Sequence, residues 1–200
     1  EMIFEQILIG GDRNYAYLVG DETTKRAAVA DPAYHPEKML ARAKELGLKV
    51  VYLINTHGHP DHTSGNDHIL AETEAELISG KVKDGAVYSL GKVELKVIHT
   101  PGHTTDSICV LATAAGEVGQ LITGDTLFVG KVGGTGFGAD AEAEYESLHQ
   151  KLMVLPPDTQ VWPGHNYGVA PSSTIGNELK TNPFILRESF EAFVDLKRNW

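Results

Sequence analysis

Thr56-His57-Gly58-His59-Pro60-Asp61-His62 places three histidines and one aspartate within seven residues, directly behind the apolar run Val50-Val51-Tyr52-Leu53-Ile54. That run has the length and β-branched content of a buried strand. The cluster therefore sits where the chain leaves a strand, in a turn loosened by Gly58 and stiffened by Pro60. Side chains in an extended segment repeat every second residue, so His57 and His59 can face one point. Asp61 and His62, beyond the Pro60 turn, must point toward a second one. Neutral imidazoles and a carboxylate are ligands that zinc, iron or manganese accept. The bland alternative is a polar turn that happens to be rich in histidine, and the density of ligand-type residues argues against it.

Three later turns repeat the device. His99-Thr100-Pro101-Gly102-His103 follows a run ending at Ile98, Thr123-Gly124-Asp125 follows Leu121-Ile122, and Pro163-Gly164-His165 follows Val161-Trp162. Each time an apolar strand ends in a glycine-containing turn that presents one ligand-type side chain. Four such ends in one chain point to a single rim where rigid elements hold ligands. The candidates are His57, His59, Asp61, His62, His103, Asp125 and His165. Seven are too many for one tetrahedral ion but suit two divalent ions sharing a carboxylate, zinc first, with iron or manganese as alternatives. His35, His68 and His149 lie outside these turns and His99 at the entrance of one, so all four read as surface or packing residues.

Outward from these turns, the 200 residues suit a single domain spanning 1–200, with room for two packed sheets. The net charge of −10 argues against a nucleic-acid partner and leaves a small-molecule substrate as the expectation. The single cysteine, Cys109, lies in an apolar run and should pack as a small hydrophobe. It allows no internal disulfide and fits a reducing, cytoplasmic setting. No apolar run approaches membrane-spanning length.

Strand patterns cover Met2 to Ile9, Tyr15 to Gly20, Ala27 to Asp31 and Leu48 to Asn55, then Ala86 to Leu90, Val93 to His99, Ser107 to Ala112, Gln120 to Thr123 and Thr159 to Trp162. Helical patterns start at His35-Pro36, cover Asn66 to Ala75, run from Ala141 to Leu155 behind an Asp140 cap, and recur near Thr174 to Lys180 and Arg187 to Lys197. Strands, then a helix, then a strand, performed twice, predict an α/β protein with a four-layer αββα sandwich.

The set THGHPDH, PGH at His103, TGD at Asp125 and PGH at His165 resembles the metallo-β-lactamase superfamily, and Asp31 is similar to that superfamily's aspartate after an early strand. The spellings TGDTLFVG, WPGHNYG and TNPFILR are most similar to the glyoxalase II (hydroxyacylglutathione hydrolase) branch. The resemblance implies an αββα fold with metals at the sheet edge. It assigns His57, His59 and His103 to one ion, Asp61, His62 and His165 to the other, and Asp125 as the bridge. It further implies hydrolysis of a thioester or related acyl substrate by a metal-bridging hydroxide, with Asp61 orienting the nucleophile or passing a proton. An iron-dependent persulfide dioxygenase of the same superfamily, built on His57, His103 and Asp125, is the alternative. A catalytically silent metal-binding protein is disfavoured because all seven candidates are intact.

One departure concerns the substrate. Where the glyoxalase II branch carries a basic residue after the bridging aspartate, residues 130–138 read GKVGGTGFG, with Gly134 at that place and Lys131 nearby but shifted. Grip on glutathione is therefore expected to be weak. The same stretch should form a flexible wall of the substrate pocket, and Tyr167 should offer either a phenolic hydrogen bond to substrate or a packing surface.

Overall fold

In the computed structural model, which describes residues 1–200, the chain opens with Met2–Gly10 (β1), Asn14–Asp21 (β2) and Arg26–Ala30 (β3), each antiparallel to the one before. Pro36–Glu45 (α1) begins with proline in its first turn, where the missing N–H costs nothing, and buries Met39 and Ala43. It carries the chain over to Lys49–Ile54 (β4), parallel to β3. Pro60–Thr63 (α2) and Asn66–Glu72 (α3) then lead to Glu76–Ile78 (β5), which completes a five-stranded sheet in the order β1-β2-β3-β4-β5.

The second half begins with Val87–Ser89 (β6), Val93–His99 (β7), Ile108–Ala114 (β8) and Gln120–Gly124 (β9), all antiparallel neighbours. A small hairpin of Leu127–Phe128 (β10) and Lys131–Val132 (β11) follows, then Ala139–Glu146 (α4), which continues as a π-helical stretch over Ser147–Leu152. Gln160–Pro163 (β12) returns parallel to β9, and Ser173–Thr174 (β13) closes the sheet as β13-β12-β9-β8-β7-β6. Ile175–Thr181 (α5) and Phe190–Asn199 (α6) follow, capped by the side chains of Thr174 and Ser189.

The layers follow from strand alternation. Tyr17, Val19, Ala28 and Ile54 of the first sheet meet Leu95, Val97, Val110 and Ile122 of the second in one buried cluster. On the opposite faces, Leu18, Val29 and Val50 pack against Met39 and Ala43 of α1, while Cys109, Leu121 and Val161 pack against Leu148, Leu152, Ile175 and Phe193. Adjacent residues such as Leu121 and Ile122 thus serve different interfaces, as a period of two requires. Each fully buried Leu or Ile contributes about 1.5–3 kcal/mol by leaving water. This is the αββα sandwich expected from the sequence, and no helix in it is long and apolar enough to cross a membrane.

Several boundaries differ from the sequence reading. The helix expected over 141–155 is α-helical only to Glu146, and Gly138 rather than Asp140 stands at its N-cap. Asp140 lies inside the first turn, where its carboxylate accepts from the Gly136 and Ala141 N–H groups. The final helix, expected near Arg187 to Lys197, starts at Phe190, where the Ser189 side chain supplies the capping oxygen.

Candidate metal centre

The rim is built from strand ends of both sheets. β4 delivers His57; Pro60 then opens α2, which turns Asp61 and His62 inward. β7 leads to His103, β9 to Asp125 and β12 to His165. Close packing of these turns needs glycine: a Cβ on Gly164 would lie 2.5 Å from Oδ1 of Asp125.

Two groups of potential ligand atoms result. His57, His59 and His103 form one, and Asp61, His62, Asp125 and His165 the other, with the atoms of each within 4.8 Å of one another. Asp125 stands between the groups: its Oδ2 is 3.2 Å from Nε2 of His165, 3.4 Å from that of His62, and 3.6 Å from those of His57 and His103. Asp61 Oδ2 adds contacts of 3.4 and 3.3 Å to Nε2 of His62 and His165. A tetrahedral ion with bonds of about 2.0–2.2 Å sets its ligands about 3.3–3.6 Å apart, close to the 3.2–3.6 Å between these carboxylate and imidazole atoms. The Nε2 atoms of His57, His62 and His103, together with Oδ1 of Asp125, are buried with no hydrogen-bond partner in the protein. Buried donors and acceptors without partners are costly, so a set of them converging on one space fits divalent cations.

A ring of acceptors fixes the imidazoles. Nδ1 of His103 donates to the Gly134 carbonyl at 2.7 Å, that of His165 to the Asp12 carbonyl at 2.9 Å, and that of His62 to Asp31 Oδ2 at 2.9 Å. With Nδ1 engaged, Nε2 keeps the lone pair a metal needs. Asp31, at φ +51°, also accepts from the Thr56 N–H and hydroxyl, while Asn14 donates to both the carbonyl and the carboxylate of Asp61.

The electrostatics separate the two groups. Burial depresses His57 to about 4, with the neighbouring His62 adding to the effect. Burial also opposes charge on His62, but Asp31, Asp125 and Asp61 outweigh it and raise this imidazole, so a cation on Nε2 would take the place of a proton. Burial works against ionisation of Asp125, yet the close approach of the His165 and His62 imidazoles holds its carboxyl well below the usual range. Asp61 is held low chiefly by the adjacent His62 imidazole, with the Asn14 amide adding to the effect.

Other residues singled out in the sequence take different positions. The Tyr167 hydroxyl donates to Asp12 Oδ2 at 2.5 Å, and its ring stacks on His165 with centroids 4.5 Å apart. Lys131 lies over the Trp200 ring at 5.9 Å, and Gly134 contributes its carbonyl to His103. His99 contacts the Val82 carbonyl through Nε2, His35 contacts Glu37, and His149 packs against Tyr145 with the rings tilted. Asp12 and Asn14, which support His165 and Asp61, escape sequence reading because they sit in what looks like an ordinary hairpin turn.

Comparison with known proteins fits this geometry. The profile of the metallo-β-lactamase superfamily matches residues 9–86 and 75–165. The chain belongs to that superfamily. Among its relatives in this superfamily, a hydroxyacylglutathione hydrolase of Polaromonas sp. is 41% identical over 180 residues, covering 83% of this chain and 67% of that protein. The chain thus spans about two thirds of the length of that relative. The solved structure of ETHE1 from Myxococcus xanthus is 31% identical with a TM-score of 0.88, covering 98% of this chain and 90% of that one. A protein called TTHA1623, solved in a di-iron-bound form, is 28% identical with a TM-score of 0.74, covering 90% and 99%. Membership of this metallo-β-lactamase superfamily and the His/Asp cluster together support bound divalent metal ions.

Proposed function

We propose that this protein is a hydrolase of thioesters that uses two divalent ions, zinc in the first instance, held by the seven clustered side chains. The observation that carries this reading is the single Asp125 oxygen within 3.2–3.6 Å of four histidine nitrogens drawn from both groups. An oxygen so placed can serve two ions at once. Relatives named hydroxyacylglutathione hydrolase, 36–41% identical over 180 residues, support the thioester class.

Divalent ions held by these residues would supply hydroxide at neutral pH and polarise the scissile carbonyl. The chain's own residues do the rest. Asp61, with its side chain 30% exposed, is the carboxylate that reaches solvent, and Asn14 fixes its Oδ2. Its low proton affinity keeps it ionised, so it accepts a hydrogen bond from the attacking water and turns the water's lone pair toward the carbonyl carbon. Asp31 and the Asp12 and Gly134 carbonyls keep three imidazoles from rotating. A thiol with a pKa of about 8.5 leaves readily as thiolate, so a thioester asks less proton donation of this site than an amide does.

The second reading, an iron-dependent sulfur dioxygenase, rests on His57, His103 and Asp125 as a facial triad. Asp125 Oδ2 is equally distant, 3.6 Å, from Nε2 of both histidines, and the likeness to ETHE1 extends over 98% of this chain. Metal-free protein reloaded with zinc or with iron, then assayed for thioester hydrolysis and oxygen uptake, separates the two. Zinc-supported hydrolysis without oxygen uptake is expected. Iron-dependent oxygen uptake with a persulfide, and no thioester hydrolysis, would overturn the hydrolase reading.

A further inference from the structure

Lys197 of α6 and Glu144 of α4 form an ion pair at 2.7 Å, with side chains 6% and 0% exposed. Neither Glu144 oxygen makes a hydrogen bond, the Lys197 contact being a close ion pair only. A buried pair with unsatisfied oxygens is weak evidence of stabilisation, because desolvation offsets most of the attraction. Its position is more informative. Lys197 Nζ also donates to the Gly133 carbonyl at 2.9 Å. The next carbonyl along the chain, Gly134, accepts from Nδ1 of His103 at 2.7 Å.

The stretch Gly133-Gly134-Thr135-Gly136 has little side-chain mass with which to fix itself, and consecutive glycines give the backbone wide freedom. Something outside it must set the peptide plane that aims the Gly134 carbonyl. At one end the Gly133 N–H donates to the Thr126 carbonyl and Lys197 fixes the Gly133 carbonyl, the group on the Gly134 peptide plane, while the Asp140 carboxylate holds the other end at the Gly136 N–H. Glu144 meanwhile lies against the turn that carries His103: a Cβ on Gly102 would fall 2.4 Å from Cβ of Glu144. Ser147, one turn further on, donates to the Pro101 carbonyl at 2.8 Å. Both the backbone and the imidazole of His103 are therefore referred to one buried pair.

We propose that Lys197, with Glu144 as its counter-ion, is a positioning residue that sets the orientation of His103 through the Gly133–Gly134 backbone and so controls metal affinity at the His57/His59/His103 group. This inference rests on the reading of that group as a metal site. Lys197 acts at one remove, and its effect falls on one group of ligands and not on the other.

The test is a stepwise cobalt(II) titration followed by absorption, with His59→Ala and His165→Ala marking which step belongs to which group. Lys197→Met is expected to weaken the His57/His59/His103 step about tenfold to hundredfold, the usual effect of losing a residue that orients a ligand. The other step should stay within about twofold of the unmodified protein. Lys197→Arg keeps a donor within reach of Gly133 and should restore most of the loss. The double variant Lys197→Met/Glu144→Leu removes both charges together and so leaves none unpaired in the interior. It should fold and show the same selective loss, since the Gly133 carbonyl still lacks its donor. Equal weakening of both steps, or none in either variant, would overturn the inference while leaving the metal reading intact. Failure of the unmodified protein to bind cobalt in two steps would overturn both.

Discussion

Asp31 Oδ2 lies 2.9 Å from Nδ1 of His62, and the same carboxylate accepts from the N–H and the hydroxyl of Thr56. One buried aspartate thus ties the end of β3 to the turn after β4. Asp31→Ala leaves the His62 Nδ1 without an acceptor and the Thr56 N–H without a partner. Metal affinity at the Asp61/His62/Asp125/His165 group should fall about tenfold to hundredfold, and stability by about 1–3 kcal/mol. A chelator-competition titration and urea unfolding measure the two. Unchanged affinity would show that Asp31 serves the fold alone.

Asp125→Ala should empty both groups, because its Oδ2 faces His57 and His103 as well as His62 and His165. His165→Ala should empty mainly its own. Elemental analysis of the two variants decides the matter, and equal metal content in both contradicts the bridge.

Gly134 has no neighbour within 4 Å of where a Cβ would stand, so Gly134→Arg can be accommodated while the backbone carbonyl stays on His103. A new Arg–carboxylate contact is worth about 1.5–3 kcal/mol, roughly a tenfold to hundredfold lower KM for a glutathione thioester. The unmodified protein should favour truncated thioesters by comparison. The comparison is kcat/KM for S-lactoyl glutathione against a truncated thioester of the same acyl group. A strong preference of the unmodified protein for the glutathione conjugate would sink the idea.

Burial pushes the Glu144 carboxyl up to about 7, with Lys197 pulling it back and Asp140 adding to the rise. The unfolded chain releases this proton near 4.5, whereas the folded one keeps it to about 7. The folded state therefore binds more protons between those values. The contribution is complete below pH 4.5 and is lost as pH rises through 7. Glu144→Gln should remove that slope. Urea unfolding at pH 5 and pH 8 should show the unmodified protein losing more stability than the variant; parallel profiles would contradict the assignment.

Cys109 is fully buried among the side chains between the second sheet and its helices, and burial pushes its thiol up to about 12. Cys109→Ala should leave turnover unchanged and lower stability by about 1 kcal/mol. Loss of activity with metal retained would reveal a catalytic thiol.

The centre was legible in the sequence because its ligands crowd into Thr56–His62 and into three glycine turns, each behind an apolar strand. The layers were legible because neighbours such as Leu121 and Ile122 alternate between two cores. What supports the ligands was not. The Gly134 and Asp12 carbonyls act through the backbone, which carries no residue-type signal, and Asn14 reaches Asp61 across 47 positions of sequence. β5, β10, β11 and β13 hold two or three residues each, too few to show a period. The Ser147–Leu152 stretch keeps the apolar spacing of an ordinary helix, so its π-helical turn left no mark in the pattern.

The central claim is that two ions, shared through Asp125, carry thioester hydrolysis. Adding zinc in measured equivalents to chelator-stripped protein, while following hydrolysis of a small thioester, tests it most directly. Activity should be negligible without metal and reach its plateau at two equivalents per chain. Full activity at one equivalent, or hydrolysis that persists in the stripped protein, would contradict it.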